Sequence, residues 1–229
     1  VIVGPKEVEF FVQKHLVCGK SDFFKSLCTK KWESVGTNTL TLRKADPDLF
    51  SLFLAWILTG SVENAEEFVE VIGDDNYVKF IAATRQMRQL AKSFIFADDL
   101  QSVSYSNHII DQVVQNCQSQ DELGYVAGTY KGLNDIWHKT PRGSPLRLLL
   151  VQDFVNGHTF PIELTEEEEA KVPRGFMLDL FQYLGEALRD KTKLKEVWKK
   201  PPCTYHKHPT EDDRLSCISK AVPKGPRAR

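Results

Sequence analysis

Cys203, His206, His208 and Cys217 crowd into fifteen residues near the C-terminal end of the sequence. Thiolates and imidazoles are the donors zinc favours, four at a time and tetrahedrally. The Cys-x-x-His spacing lets Cys203 and His206 reach one ion, and His208 with Cys217, across a polar loop, would complete the set. The pattern differs from a standard finger, because His-x-His is tight and few apolar residues surround it. Two readings follow from the residues. Either a structural zinc replaces the missing hydrophobic core and pins the segment to the last helix through Trp198, or the stretch is a solvated tail with exposed histidines. Four protein ligands leave no open position for water, so zinc here would be structural rather than catalytic.

A second chemical signal is Gly19, Lys20 and Ser21, the letters that close a phosphate-binding loop. Such a loop needs another glycine five positions before the Gly-Lys pair, and that position is Lys14. The strand that should feed the loop is also missing, since Leu16 and Val17 already belong to a helical pattern. No G-x-S-x-G, H-E-x-x-H or GxGxxG motif occurs. Cys18 and Cys28 fit small core residues of a helix, and His15, His108, His138 and His158 are isolated surface or capping groups. The residues predict no enzyme.

Thirty basic and thirty-one acidic residues leave a net charge of -1, so no field draws the chain to nucleic acid or an anionic membrane. Lys220, Lys224, Arg227 and Arg229 could brush nucleic acid, but four charges at a disordered end, which closes on PKGPRAR, also serve solubility. Apolar runs are too short to span a bilayer, and 41% hydrophobic residues suffice for a core. Five scattered cysteines and no N-x-Ser/Thr acceptor suit the nucleus or cytoplasm. A chain opening on Val1 with an immediate strand reads as a piece of a longer polypeptide.

The elements that must position these groups are legible from periodicity. Val8, Phe10 and Val12 alternate as a strand with a buried face, and Leu16, Phe23, Phe24 and Leu27 lie on one side of a helix from Leu16 to Cys28. Leu40 and Leu42 mark a second strand. Asp46 and Pro47 make a helix start, Leu49, Phe50, Phe53, Leu54 and Ile57 follow at helical spacing, and Gly60 supplies a left-handed stop. After an acidic excursion over 61–75, stripes at Phe80 to Ala97 and at Ile109 to Val114 predict two more helices. Ser144 and Pro145 launch another, and Met177, Leu180, Phe181, Leu184 and Leu188 give one over 176–188. TEEEEA, Thr165 to Ala170, reads equally as a helix start or an acidic loop.

Two stretches carry a family resemblance. FFVQKHLVCGKSDFFKSLC resembles the BTB/POZ signature, with Lys14, Leu16, Cys18, Ser21, Phe23 and Phe24 matching. LTLRKADPDLFSLFLAWILTGSV looks like that domain's second half. Gln13 replaces the family's histidine, Leu58 its tyrosine, and the acidic insertion after Val62 is long. FIAATRQMRQLAKSFIFADDLQSVSYSNHIID is similar to the helical pair that follows, and TPRGSPLRLLLVQDFV resembles the C-terminal extension of fungal members.

The resemblance implies an α+β fold, a small sheet flanked by a helical cluster, over residues 1–118. An all-helical extension follows over 119–200, the likeness itself reaching to about Asn156, and the residues add a Cys/His tail over 201–229. The resemblance also implies a non-catalytic protein-protein interaction module that homodimerises as a scaffold or regulator, or else a substrate adaptor for a cullin-RING ubiquitin ligase. Interaction residues would include Lys14, Phe23 and Phe24. The cullin contact would use Trp32, although the glutamate expected two positions later is Ser34, with Glu33 between them.

Overall fold

The structure, a computed structural model, describes residues 1–30, 39–62, 75–122, 133–157, 165–191 and 194–221. Helices dominate it, and its three strands are two residues each. The expected α+β architecture is thereby corrected. Strands β1 (Ile2–Val3), β2 (Val8–Glu9) and β3 (Thr41–Leu42) form one sheet in the order β2-β1-β3. Ile2 pairs with Glu9 antiparallel and with Thr41 in parallel. The alternation from Val8 to Val12 has the period of a strand, but pairing reaches only Val8 and Glu9 against β1 and Phe10 against Val1, and Val8, on the expected buried face, is 38% exposed. Phe11, on the opposite face from Val8, Phe10 and Val12, is 96% exposed, and the chain turns helical at Lys14.

The chain divides into two compact units, Val1–Glu70 with Lys92–Ile109, and Val71–Ala91 with Ile110–Arg229. The boundary expected at residue 118 falls inside a helix, and the 119–200 extension and the Cys/His segment share one unit. Helices α4 (Asp75–Asp99) and α5 (Val103–Glu122) contribute to both.

In the first unit the predicted single helix is two, α1 (Lys14–Lys20) and α2 (Asp22–Lys30). Ser21 separates them in an extended conformation, φ −145° and ψ 120°. Its hydroxyl accepts the Phe24 N–H at 3.2 Å, capping α2, and donates to the Leu100 carbonyl at 2.5 Å. Ser102 donates to the Lys20 carbonyl at 2.6 Å, so both loose ends of the break are satisfied by the turn joining α4 and α5. A disulfide joins Cys18 to Cys28, linking α1 and α2 in place of the expected separate core thiols.

Helix α3 (Pro47–Thr59) starts and stops as its sequence predicts. Asp46 accepts the Asp48 N–H at 2.9 Å, and Gly60 adopts φ 78° while donating to the Trp56 carbonyl. Pro47 lies against Gly4, where a Cβ would stand 3.0 Å from the ring, so a side chain there would push α3 off β1. Phe24, Phe50, Phe53, Trp56 and Tyr105 are buried together, with Phe53 5.2 Å from the Tyr105 ring and Phe10 edge-on to Phe50 at 5.0 Å.

The second unit is built on α6 (Leu133–Lys139), α7 (Pro145–Gly157), the short α8 (Glu166–Glu169) and α9 (Arg174–Arg189). TEEEEA is therefore helical in part. Phe176 makes T-shaped ring contacts with Trp137 at 5.1 Å and Phe154 at 5.2 Å. A Cβ on Gly175 would come within 2.8 Å of the Trp137 ring, so glycine lets α9 approach α6. Arg147, buried on α7, closes the end of α6 by donating to the Trp137 carbonyl at 2.5 Å, to the Thr140 hydroxyl at 2.9 Å and to the Thr140 carbonyl. Asp179 of α9 joins this network by accepting the Trp137 indole N–H at 2.8 Å. Among the described residues no helix is long and apolar enough to cross a membrane.

Helix α9 forms where its spacing predicts, but it buries only part of that pattern. Of Met177, Leu180, Phe181, Leu184 and Leu188, only Leu180 is buried; the face against the core is Phe176, Leu180, Tyr183 and Ala187. Phe181 is 63% exposed and Leu188 83%, with Met177 and Leu178 also exposed. The helix thus carries two adjacent apolar stripes, one buried and one open.

Candidate metal centre

Residues 201–221 hold more regular structure than their composition suggests. Pro201 and Pro202 open a 3-10 turn at Pro202–Tyr205 that presents Cys203 and buries Tyr205. The Tyr205 hydroxyl donates to the Gln152 side chain of α7 at 2.6 Å, and Lys200 donates to the same oxygen. These contacts fix the turn to α7. The chain then extends from His206, φ −83° and ψ 146°. Extended backbone sends alternate side chains to the same face, which explains how a His-x-His pair can serve one site.

Helix α10 (Glu211–Ala221) follows, with a reciprocal cap at its start. Thr210 accepts the Asp213 N–H at 3.1 Å, and the Asp213 carboxylate accepts the Thr210 N–H at 3.2 Å. Glu211, Asp212 and Asp213 place negative charge where the helix dipole is positive. Cys217 lies on this helix. The T-E-D-D run was the signal for α10 in the sequence, and the reading of a tail passed over it.

Cys203, His208 and Cys217 form a group that can hold a metal ion, with one ligand atom from each lying within 4.8 Å of the others. The Cys203 sulfur is 2.9 Å from His208 Nε2. His206 adjoins the group through Cys217, its Nδ1 standing 3.3 Å from that sulfur. Zinc bonds of about 2.3 Å to sulfur and 2.0–2.1 Å to nitrogen give tetrahedron edges of roughly 3.3–3.8 Å. The Cys203–His208 contact is shorter than such an edge and the His206–Cys217 contact is close to one, while the three donors Cys203, His208 and Cys217 all lie within 4.8 Å of one another. The other ring nitrogen of His206, Nε2, lies 2.8 Å from Asp111 Oδ1 of α5, a contact no sequence pattern indicates across 95 residues. Trp198, expected as the pin, is half-buried, while Val197 and Tyr205 are buried.

Other expected positions lie apart. Lys20, the would-be phosphate lysine, sits 5.4 Å over the Trp56 ring, and Ser21 is committed to Leu100 and Phe24. Phe24 is wholly buried and serves the core, Phe23 is half-buried with its ring 5.4 Å from Phe24, and Lys14 is exposed at the start of α1. Trp32, Glu33, His158 and the basic end after Ala221 lie outside the described residues. His108, expected at the surface, is half-buried against Trp56, 6.1 Å between rings. A groove of about 190 Å³ beside α7 and α9 has Arg147 and Asp179 in its wall. It is smaller than the ~300–1,000 Å³ of typical ligand pockets.

Compared with known proteins, the chain matches no family model, no curated protein and no solved structure, and nothing in those comparisons identifies a BTB/POZ domain.

Proposed function

We propose that this chain is a non-catalytic protein-protein interaction module that self-associates, with its C-terminal segment closed by a structural zinc ion. The observation that carries the first part is the open stripe of α9. Met177, Phe181, Leu184 and Leu188 recur at intervals of four, three and four, the repeat of a helix-pairing seam. That spacing reads the same in both directions. An antiparallel second copy would set Met177 against Leu188 and Phe181 against Leu184 twice over, as a two-fold interface requires. Covering Phe181 and Leu188, now 63% and 83% exposed, would remove the largest apolar groups of this face from water.

The test is light scattering after size exclusion at micromolar concentration. The wild type should elute as a dimer and Phe181→Asp as a folded monomer; a strictly monomeric wild type would overturn the reading. Adaptor activity toward a cullin would depend on Trp32 and Glu33, and no described residue favours it.

The zinc part rests on the donor set. Two cysteines and two histidines suit zinc better than the hard, oxygen-seeking cations. Four protein donors would leave no open coordination position, which supports a structural role. A helix as short as α10 is marginal by itself in water, and none of residues 211–219 is buried. A metal bond through Cys217 supplies the anchor that packing does not. Purified protein with reduced thiols should contain one zinc per chain by elemental analysis, and a substoichiometric content would overturn this part.

A further inference from the structure

Asp111 projects from α5, and its Oδ1 lies 2.8 Å from Nε2 of His206, whose own side chain is only 10% exposed. A carboxylate only accepts hydrogen bonds, so this contact places the imidazole proton on Nε2. In the neutral ring the lone pair is then left on Nδ1, the atom that stands 3.3 Å from the Cys217 sulfur. One hydrogen bond thus selects both the tautomer and the ring orientation a metal would need.

We infer that Asp111 is the positioning residue of the metal centre, holding His206 as an Nδ1 ligand and tying the ion to α5. This rests on the zinc reading above. Under it, Tyr205 and Gln152 fasten the segment to α7 on one side, and Asp111 fastens the ligand cluster to α5 on the other. Metal binding then clamps α10 to α5 and α7 within the second unit instead of merely closing a loop within the tail. Asp111 is 43% exposed, so its replacement removes a partner of His206 without opening the core.

The experiment titrates the full chain with zinc against a chromophoric chelator for the wild type, Asp111→Ala and Asp111→Glu. Long-range proton-nitrogen NMR of the His206 ring accompanies each titration. Expected is one tight zinc in the wild type, affinity weaker by about 10–100-fold in Asp111→Ala, and recovery of most of that loss in Asp111→Glu. In the zinc-loaded wild type Nε2 should carry a slowly exchanging proton and Nδ1 a metal-shifted resonance. The slow exchange should vanish in Asp111→Ala. Unchanged affinity in Asp111→Ala, or a fall in the metal-free melting temperature with affinity intact, would overturn the positioning role and leave the zinc site standing. A wild type that binds no zinc would remove both.

Discussion

Phe53 in the first unit is wholly buried, with four aromatic rings centred within 6.5 Å of its own, whereas no residue over 211–219 of α10 is buried at all. The two regions use different bonds for the same task. Around Phe53, order comes from removing apolar area from water, a non-directional force that needs many neighbours. Around Cys217, order comes from a few directional contacts among Cys203, His206, His208 and Asp111. The first kind of region tolerates chemistry-free substitutions of similar volume; the second tolerates almost none at its donors. A polar segment can still be held in place if it concentrates its donors at one point.

The comparison can be broken at either end. Phe53→Ala should cost about 3–5 kcal/mol in urea unfolding, with zinc content unchanged. A loss below about 1 kcal/mol would mean the ring cluster is not the anchor of the first unit. Chelation or Cys217→Ser should have a large but local effect: loss of the helical signal of α10 and proteolytic cleavage between His206 and Ala221. Cys203 and Cys217 should then become reactive toward thiol reagents. Cys117 should stay silent until global unfolding, because its thiol is fully buried and burial pushes its ionisation well above the ordinary range. Rapid labelling of Cys117 in the native protein would contradict that packing.

Smaller effects sharpen the contrast. Asp46→Ala removes the acceptor for the Asp48 N–H and should cost about 1 kcal/mol, measured by the shift in urea midpoint. Lys200 is the smallest. Burial pushes its ammonium down to about 8, against roughly 10.4 for a free lysine. Between those values the unfolded chain holds a proton that the folded one has released, so stability rises with pH across that window. Relative to Lys200→Met, the wild type should gain under about 1 kcal/mol from pH 8 to 10, since the side chain is half-exposed and screened. Thermal melts across that range check the sign, and a falling difference would refute it.

Much of the local structure was readable beforehand. Asp46, Pro47 and Gly60 mark α3 at both ends because caps act within a few residues of themselves. The ligand types at Cys203, His206, His208 and Cys217 were equally plain. The sheet was over-read, because alternation at Val8, Phe10 and Val12 declares a period and says nothing of whether a partner strand is long enough. The likeness to BTB/POZ sequences extended that over-reading into an α+β fold. The spacing of Met177, Leu180, Phe181, Leu184 and Leu188 predicts helix α9 but not its buried face, because Met177, Phe181, Leu184 and Leu188 are as regularly spaced as Phe176, Leu180, Tyr183 and Ala187. Periodicity identifies a helix with an apolar side but cannot rank two neighbouring sides.

What the amino-acid order determined on its own is whatever closes within one or two turns: the caps of α3, the reciprocal Thr210 and Asp213 start of α10, and the supply of soft donors near the C-terminal end. Only tertiary structure decided that the first helix breaks at Ser21, since its hydroxyl finds the Leu100 carbonyl 79 residues away. The same holds for the stripe of α9 that meets the core and for the carboxylate that reaches His206 from α5. The reason is physical: a hydrogen bond or an apolar contact acts over a few ångströms of space, and pattern along the chain reports only those neighbours that the backbone itself keeps close.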